Sequence, residues 1–225
     1  MEQTTPTNKD LHEELALRYN DPEVELRHLI VGPFTRASAN SRDVEGYAAM
    51  YERKTSIGWF DEIIKAGAFD GVIEPSDIRA LFNHDPNHLL ARKRPAGTSG
   101  FMDSLSVWTD DTGLRYGFEV PKTRDDILEM IDRGDLGESS FAFTIDSYDW
   151  ITEDGRDLRQ LIKFKRLYDV APVTYPAYND TTVAKRSLDA LKKDTDTLKE
   201  DRDNAQAELI KRRGRVLFFL NNKQR

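Results

Sequence analysis

The chain has 225 residues, room for one sizeable domain with its own core plus short extensions, but not for two full domains. Hydrophobic residues make up 38% against 32% charged, so part of the chain stays solvated, and a formal net charge of -7 argues against a generic nucleic-acid-binding surface. The absence of cysteine excludes a disulfide framework, a thiolate nucleophile and Cys-ligated zinc.

From the N-terminus, residues 1–26 are polar and acidic apart from Leu11 and Leu15, which predicts a mobile arm carrying at most one marginal helix. No basic start or apolar core marks a secretory signal, so the protein is expected to stay where it is made. Order is expected from about His28. Leu29-Ile30-Val31 and Val44 to Tyr51 read as strands, and Phe60 to Phe69 as an irregular apolar segment. Asp77 to Phe82 is too short for periodicity to separate helix from buried strand. Ser104 to Thr109 and Leu114 to Val120 flank Asp110-Asp111-Thr112-Gly113, a hairpin whose glycine is expected to supply a positive φ.

Thr123 offers an N-cap with Asp126 three residues on; Ile127, Met130 and Ile131 form an apolar stripe, and Gly134 stops the predicted helix. Next, Phe141, Phe143 and Ile145 alternate with Ser140, Ala142 and Thr144. That period of two puts the aromatics on one strand face and Ser140 on the other. Asp154-Gly155 marks a turn, and Leu158 to Val170 a second long strand closing at Pro172 and Pro176. Strands in short succession with one good helix predict an α+β fold, an antiparallel sheet or closed barrel with helices packed outside.

Beyond Arg186 the chain is highly charged. Leu188, Leu191, Leu198, Ala205 and Leu209 fall on heptad positions, with Thr195 and Arg202 weakening the seam. Lys211-Arg212-Arg213-Gly214-Arg215 is a local basic run, and the apolar Val216 to Leu220 is far short of the ~20 residues that cross a bilayer.

Three side chains carry candidate chemistry. His84 follows Leu81-Phe82 and sits between Asn83 and Asp85, at an apolar-to-polar edge. A neutral imidazole with an unperturbed pKa of about 6.5 can take a proton from a hydroxyl and return it to a leaving amine. Spacing alone favours a surface-loop histidine, and His88, four residues on, lacks the third ligand a metal would need. Ser140, after Ser139, follows the glycine-bearing approach Gly134 to Glu138, and its hydroxyl is a nucleophile only beside a base; an ordinary edge-strand serine pair is the alternative. Asp169, between Tyr168 and Val170, needs a partner to offset desolvation, either a histidine N–H or a cation such as Arg166.

Several blocks follow one another in a familiar order: Gly46-Tyr47-Ala48, Gly67-Ala68-Phe69, Ala80 to Asp85, Gly113-Leu114, Arg133-Gly134-Asp135, Ser140-Phe141-Ala142-Phe143, Leu167 to Val170, and Val173 to Tyr178. In this succession, over roughly residues 28–186, the chain resembles the prohead protease family of tailed bacteriophages and prophages. The resemblance implies a serine endopeptidase with His84 as base, Ser140 rather than Ser139 as nucleophile, and Asp169 as the third member. Asp169 stands where the family often has Glu. Ala142 stands where Gly is common, and Leu90-Ala91 where Leu-Gly is common.

The family is similar in fold to herpesvirus assemblin, which implies an antiparallel β-barrel surrounded by helices. The implied organisation is a mobile N-terminal arm (1–26), a protease domain (27–186) and a charged helical extension (187–225). The resemblance further implies an enzyme working in the bacterial host cytoplasm inside the immature capsid. There it would cleave scaffold segments or the scaffold-like part of the major capsid protein, trim itself and self-associate, using no cofactor or metal and binding neither nucleic acid nor membrane. Two rivals are a catalytically silent scaffolding protein on the same barrel, and a serine esterase; no Gly-x-Ser-x-Gly elbow surrounds Ser140 to support the latter.

Overall fold

The alternation that begins at Ser140 is realised as part of one of two unusually long strands in the computed structural model, which describes residues 14, 16–29, 34–38 and 40–174. These lie in the first of two units into which the chain divides, Met1–Thr181. The second unit, Thr182–Arg225, with the heptad-spaced segment and the basic run, lies outside the described residues. So do residues 1–13, 30–33 and the Tyr175 to Tyr178 block.

In chain order the strands are β1 (Glu25–Leu29), β2 (Thr35–Arg36), β3 (Asp43–Met50), β4 (Thr55–Ile57), β5 (Phe60–Ile64) and β6 (Ile78–Leu81). A 3₁₀ turn, Phe82–His84, follows. Then come β7 (Leu89–Lys93), β8 (Leu105–Thr109), β9 (Gly113–Glu119), the helix α1 (Asp125–Arg133), β10 (Glu138–Glu153) and β11 (Arg156–Val173).

They form two sheets. The larger has seven strands, five in the path β1-β10-β11-β5-β4 with β6 and β7 branching from β11, and the smaller has four, β2-β3-β9-β8. β11 is long enough to hold β10 along one side and two parallel partners in succession on the other, β5 at Leu158 to Leu161 and β6 at Asp169 and Val170. β7 extends the sheet beyond β6. The expected closed barrel is therefore corrected: among the described residues both sheets remain open and a core lies between them, in a mostly β, α+β arrangement with a nine-residue α-helix and a short helical turn at residues 16–19. Phe69, Phe141, Phe143 and Phe164 stack in that core, with Leu114, Tyr116 and the helix residues Ile127 and Ile131 packed into the same cluster.

Local chemistry explains the boundaries. β10 and β11 are joined by Asp154 (φ 51°) and Gly155 (φ 77°), the two left-handed residues of a two-residue hairpin. The β8–β9 hairpin forms as expected, but Gly113 does not take a positive φ. The Asp110 carboxylate accepts from the Thr112 and Gly113 amides to make the turn, and glycine is required because a Cβ would lie 2.1 Å from the Ala49 carbonyl oxygen of β3.

α1 starts at Asp125, not behind a Thr123 cap: Arg124 is the N-cap and its side chain makes no capping hydrogen bond, and Asp125 and Asp126 face the positive helix end instead. Gly134, at φ 78°, closes it as expected. β11 passes through Pro172 because beyond Val170 it has a neighbour on one side only, where a residue without N–H is tolerated. The ambiguous Asp77 to Phe82 segment is β6, and order begins before His28, with helical residues 16–19 and β1 from Glu25.

Four buried charges hold β1 in place. Arg159 of β11 binds Glu25 of β1 (2.7 Å) and Glu62 of β5 (2.7 Å), while Arg27 of β1 binds the same two carboxylates. Burial alone would raise the Glu25 pKa, but Arg159 and Arg27 together bring it down to about 2.

Candidate active site

Period-two geometry puts the three candidate residues in one neighbourhood. In the antiparallel β10–β11 ladder Ser140 lies opposite Ala171 and Ala142 opposite Asp169. These four therefore project from one face, while Phe141, Phe143 and Val170 project into the core on the other. Ser140 and Asp169 are diagonal neighbours, with backbones roughly 7–8 Å apart. β6 runs parallel to β11 with Arg79 opposite Asp169, so the chain leaving β6 turns at Phe82–His84 directly beside that carboxylate.

The turn is tight. Asn83 (φ 55°) and His84 (φ 56°) are both left-handed, a conformation that costs a non-glycine residue on the order of 1–3 kcal/mol and persists where surroundings over-determine it. The surroundings are visible. The Asp85 amide donates to the Phe82 carbonyl (3.1 Å) and the Phe82 amide to the His88 carbonyl (3.1 Å). The Asn83 side-chain oxygen accepts from the Thr174 amide at the end of β11 (2.9 Å) and from its hydroxyl.

The result is a hydrogen bond of 2.8 Å between His84 Nδ1 and Asp169 Oδ1. Asp169 has no exposed surface and His84 is 8% exposed. With a carboxylate oxygen facing Nδ1, that nitrogen carries the proton, leaving Nε2 as an acceptor. His84 Nε2 and Ser140 Oγ are each buried and make no hydrogen bond, an unmatched acceptor and an unmatched donor on the same face. The other partner weighed for Asp169, Arg166, instead lies over the Tyr168 ring (5.0 Å). Ser139 points the other way, where its hydroxyl shares a 2.9 Å bond with the buried Tyr116 hydroxyl.

His88 is half-exposed beside Asp85 (3.9 Å). Among the described residues no group of three or more His, Cys, Asp or Glu is placed to hold a metal, and no helix is long and apolar enough to cross a membrane. A groove of about 560 Å³ on the four-stranded sheet, lined by Arg36, Glu45, Trp108 and Glu119 among others, shares no residue with the His84 cluster.

Sequence reasoning passed over two residues here, both in the segment read as an arm. Arg18 donates to the His84 carbonyl, and the Tyr19 hydroxyl donates to Asp169 Oδ2, the oxygen that His84 leaves free. The available signal was Tyr19 continuing the Leu11, Leu15 spacing of an amphipathic turn.

The family model of the caudovirus prohead serine protease matches residues 34–194. No curated protein and no solved structure matches.

Proposed function

The chain belongs to the caudovirus prohead serine protease family, and on that premise we propose that Ser140, His84 and Asp169 are its catalytic triad. The observation that carries the assignment is the His84–Asp169 hydrogen bond beneath the sheet face that also presents Ser140. His84 Nε2 takes the Ser140 proton as Oγ attacks the peptide carbonyl, then returns it to the leaving amine. Water hydrolyses the acyl-enzyme by the reverse path. Asp169 holds the imidazole with Nδ1 protonated and stabilises the cation that forms. Ser139 is committed to Tyr116 and takes no part.

A prohead protease acts within the procapsid, with capsid or scaffold proteins as substrates. We assign to this chain cleavage of scaffold segments or the scaffold-like part of the major capsid protein in the host cell, with trimming and self-association of its own chain. Kinship with assemblin would rest on the order of His before Ser in a mostly β frame, without a closed barrel.

The test is incubation of the full chain with a serine-directed fluorophosphonate, and separately with a tailed-phage major capsid protein that carries its scaffold-like part. Labelling of Ser140 and discrete cleavage products, both abolished by Ser140→Ala, are expected. Labelling at Ser139 removes the assignment of the nucleophile, and an unlabelled protein that cleaves nothing leaves the silent scaffolding role.

A further inference from the structure

Asp169 is a buried carboxylate with two oxygens, and the triad uses one. The other, Oδ2, accepts from the Tyr19 hydroxyl. Burial and the Asp169 charge push the Tyr19 phenol far above its ordinary pKa, so its proton stays available for donation.

Tyr19 is placed by its own surroundings. Helical residues 16–19 end at Asn20, whose left-handed φ of 51° and bonds from the Asn20 and Asp21 amides back to the Leu17 and Ala16 carbonyls close the turn. The Tyr19 ring rests 4.7 Å from that of Tyr168, in a small cluster with Val24, Leu26 and Ala142. Tyr168, next to Asp169 in the chain, donates to the Asp21 carboxylate (2.6 Å) and so ties β11 back to the same turn. Arg18, the preceding residue, holds the His84 carbonyl. Consecutive residues of one turn thus grip both halves of the His84–Asp169 pair.

We propose that Tyr19 is a positioning residue of the protease, fixing the Asp169 carboxylate so that Oδ1 stays in line with His84 Nδ1; the inference rests on the triad assigned above. A carboxylate bound through one oxygen can rotate about its Cβ–Cγ bond, and one bound through both cannot. The hydroxyl also withdraws part of the carboxylate's charge, which sets how strongly Asp169 favours the imidazolium form of His84. Other charged or titratable groups near His84 are Arg18 from the turn, and Asp85 and His88 from its own loop.

The experiment measures the pH dependence of the second-order rate of fluorophosphonate labelling, per folded molecule, in the full chain. Tyr19→Phe keeps the ring packing and removes the donor. Its rate is expected to fall about tenfold, with the acid limb displaced to higher pH because Asp169 then holds more charge against the imidazolium. In an Asp169→Asn background the same change should cause no further loss, because it frees the amide to turn its oxygen toward His84 Nδ1.

As a second variant that keeps the hydroxyl, 3,5-difluorotyrosine at position 19 is a stronger donor and should move the limb the opposite way. A wild-type rate and limb in Tyr19→Phe, or an unmoved limb in the fluorinated protein, overturns the proposal. A rate increase in Tyr19→Phe also overturns it, since Tyr19 would then be holding the site shut. Ser140→Ala and His84→Ala separate the two levels: if they still label at the parent protein's rate, the triad itself fails, whereas if both are silent only the Tyr19 inference is at stake.

Discussion

Asp169→Asn tests the orientation of the site most directly, because the structure dictates how the amide must sit. Asp169 has no exposed surface, and its oxygens face one donor each, His84 Nδ1–H and the Tyr19 hydroxyl. Tyr19 holds its proton tightly, so in the variant it keeps donating to the amide oxygen and the amide NH₂ turns toward His84. Nδ1 must then be the unprotonated nitrogen, and the proton moves to Nε2, the atom that has to accept from Ser140. The expected cost is up to ~10⁴ in rate, about 5 kcal/mol in the barrier.

Stability should change little, since the isosteric amide retains a partner on each side and removes a buried charge. The assay pairs labelling or substrate turnover per folded molecule with urea unfolding. A fully folded Asn variant with wild-type rate refutes the role of Asp169. So does a variant that loses stability while its folded fraction works normally. Asp169→Glu, which restores the family's commoner acid, should keep much of the activity. It should also lose roughly 1–3 kcal/mol of stability to the extra methylene in a closed site.

Three further outcomes follow from the fold. Arg159→Met leaves Glu25 and Glu62 sharing Arg27 alone, so urea unfolding should show a loss of roughly 3–5 kcal/mol. Adding Glu62→Gln rebalances the cluster and should recover part of it, and a loss below about 1 kcal/mol would contradict the burial of this network. Because the Glu25 pKa is depressed in the folded protein, ionised Glu25 stabilises the fold above the ordinary carboxylate range. That stability should drain away as pH falls toward about 2, and Glu25→Gln should flatten the acid side of the stability curve. Ser139→Ala strands the buried Tyr116 hydroxyl and should cost roughly 1–3 kcal/mol while labelling at Ser140 is unchanged; lost labelling in a folded Ser139→Ala protein would reassign the nucleophile.

Read from the sequence alone, the α+β class, the β8–β9 hairpin, the Asp154-Gly155 turn and the Gly134 helix stop were all legible, because each depends on neighbours a few residues apart. The alternation around Ser140 also put it on the face opposite the aromatics, since a strand's period of two is a local property. Tertiary structure alone decided that the sheets stay open, which depends on how long strands such as β11 share partners along their length. It also decided that Asp169 meets His84, 85 residues away, and not Arg166, three residues away. The Glu25, Arg27, Glu62 and Arg159 cluster and the Tyr19 contact were invisible for the same reason. Charged and polar side chains in a strand or a polar arm read as solvated until long-range pairing removes the water and leaves each one only the partner that the fold supplies.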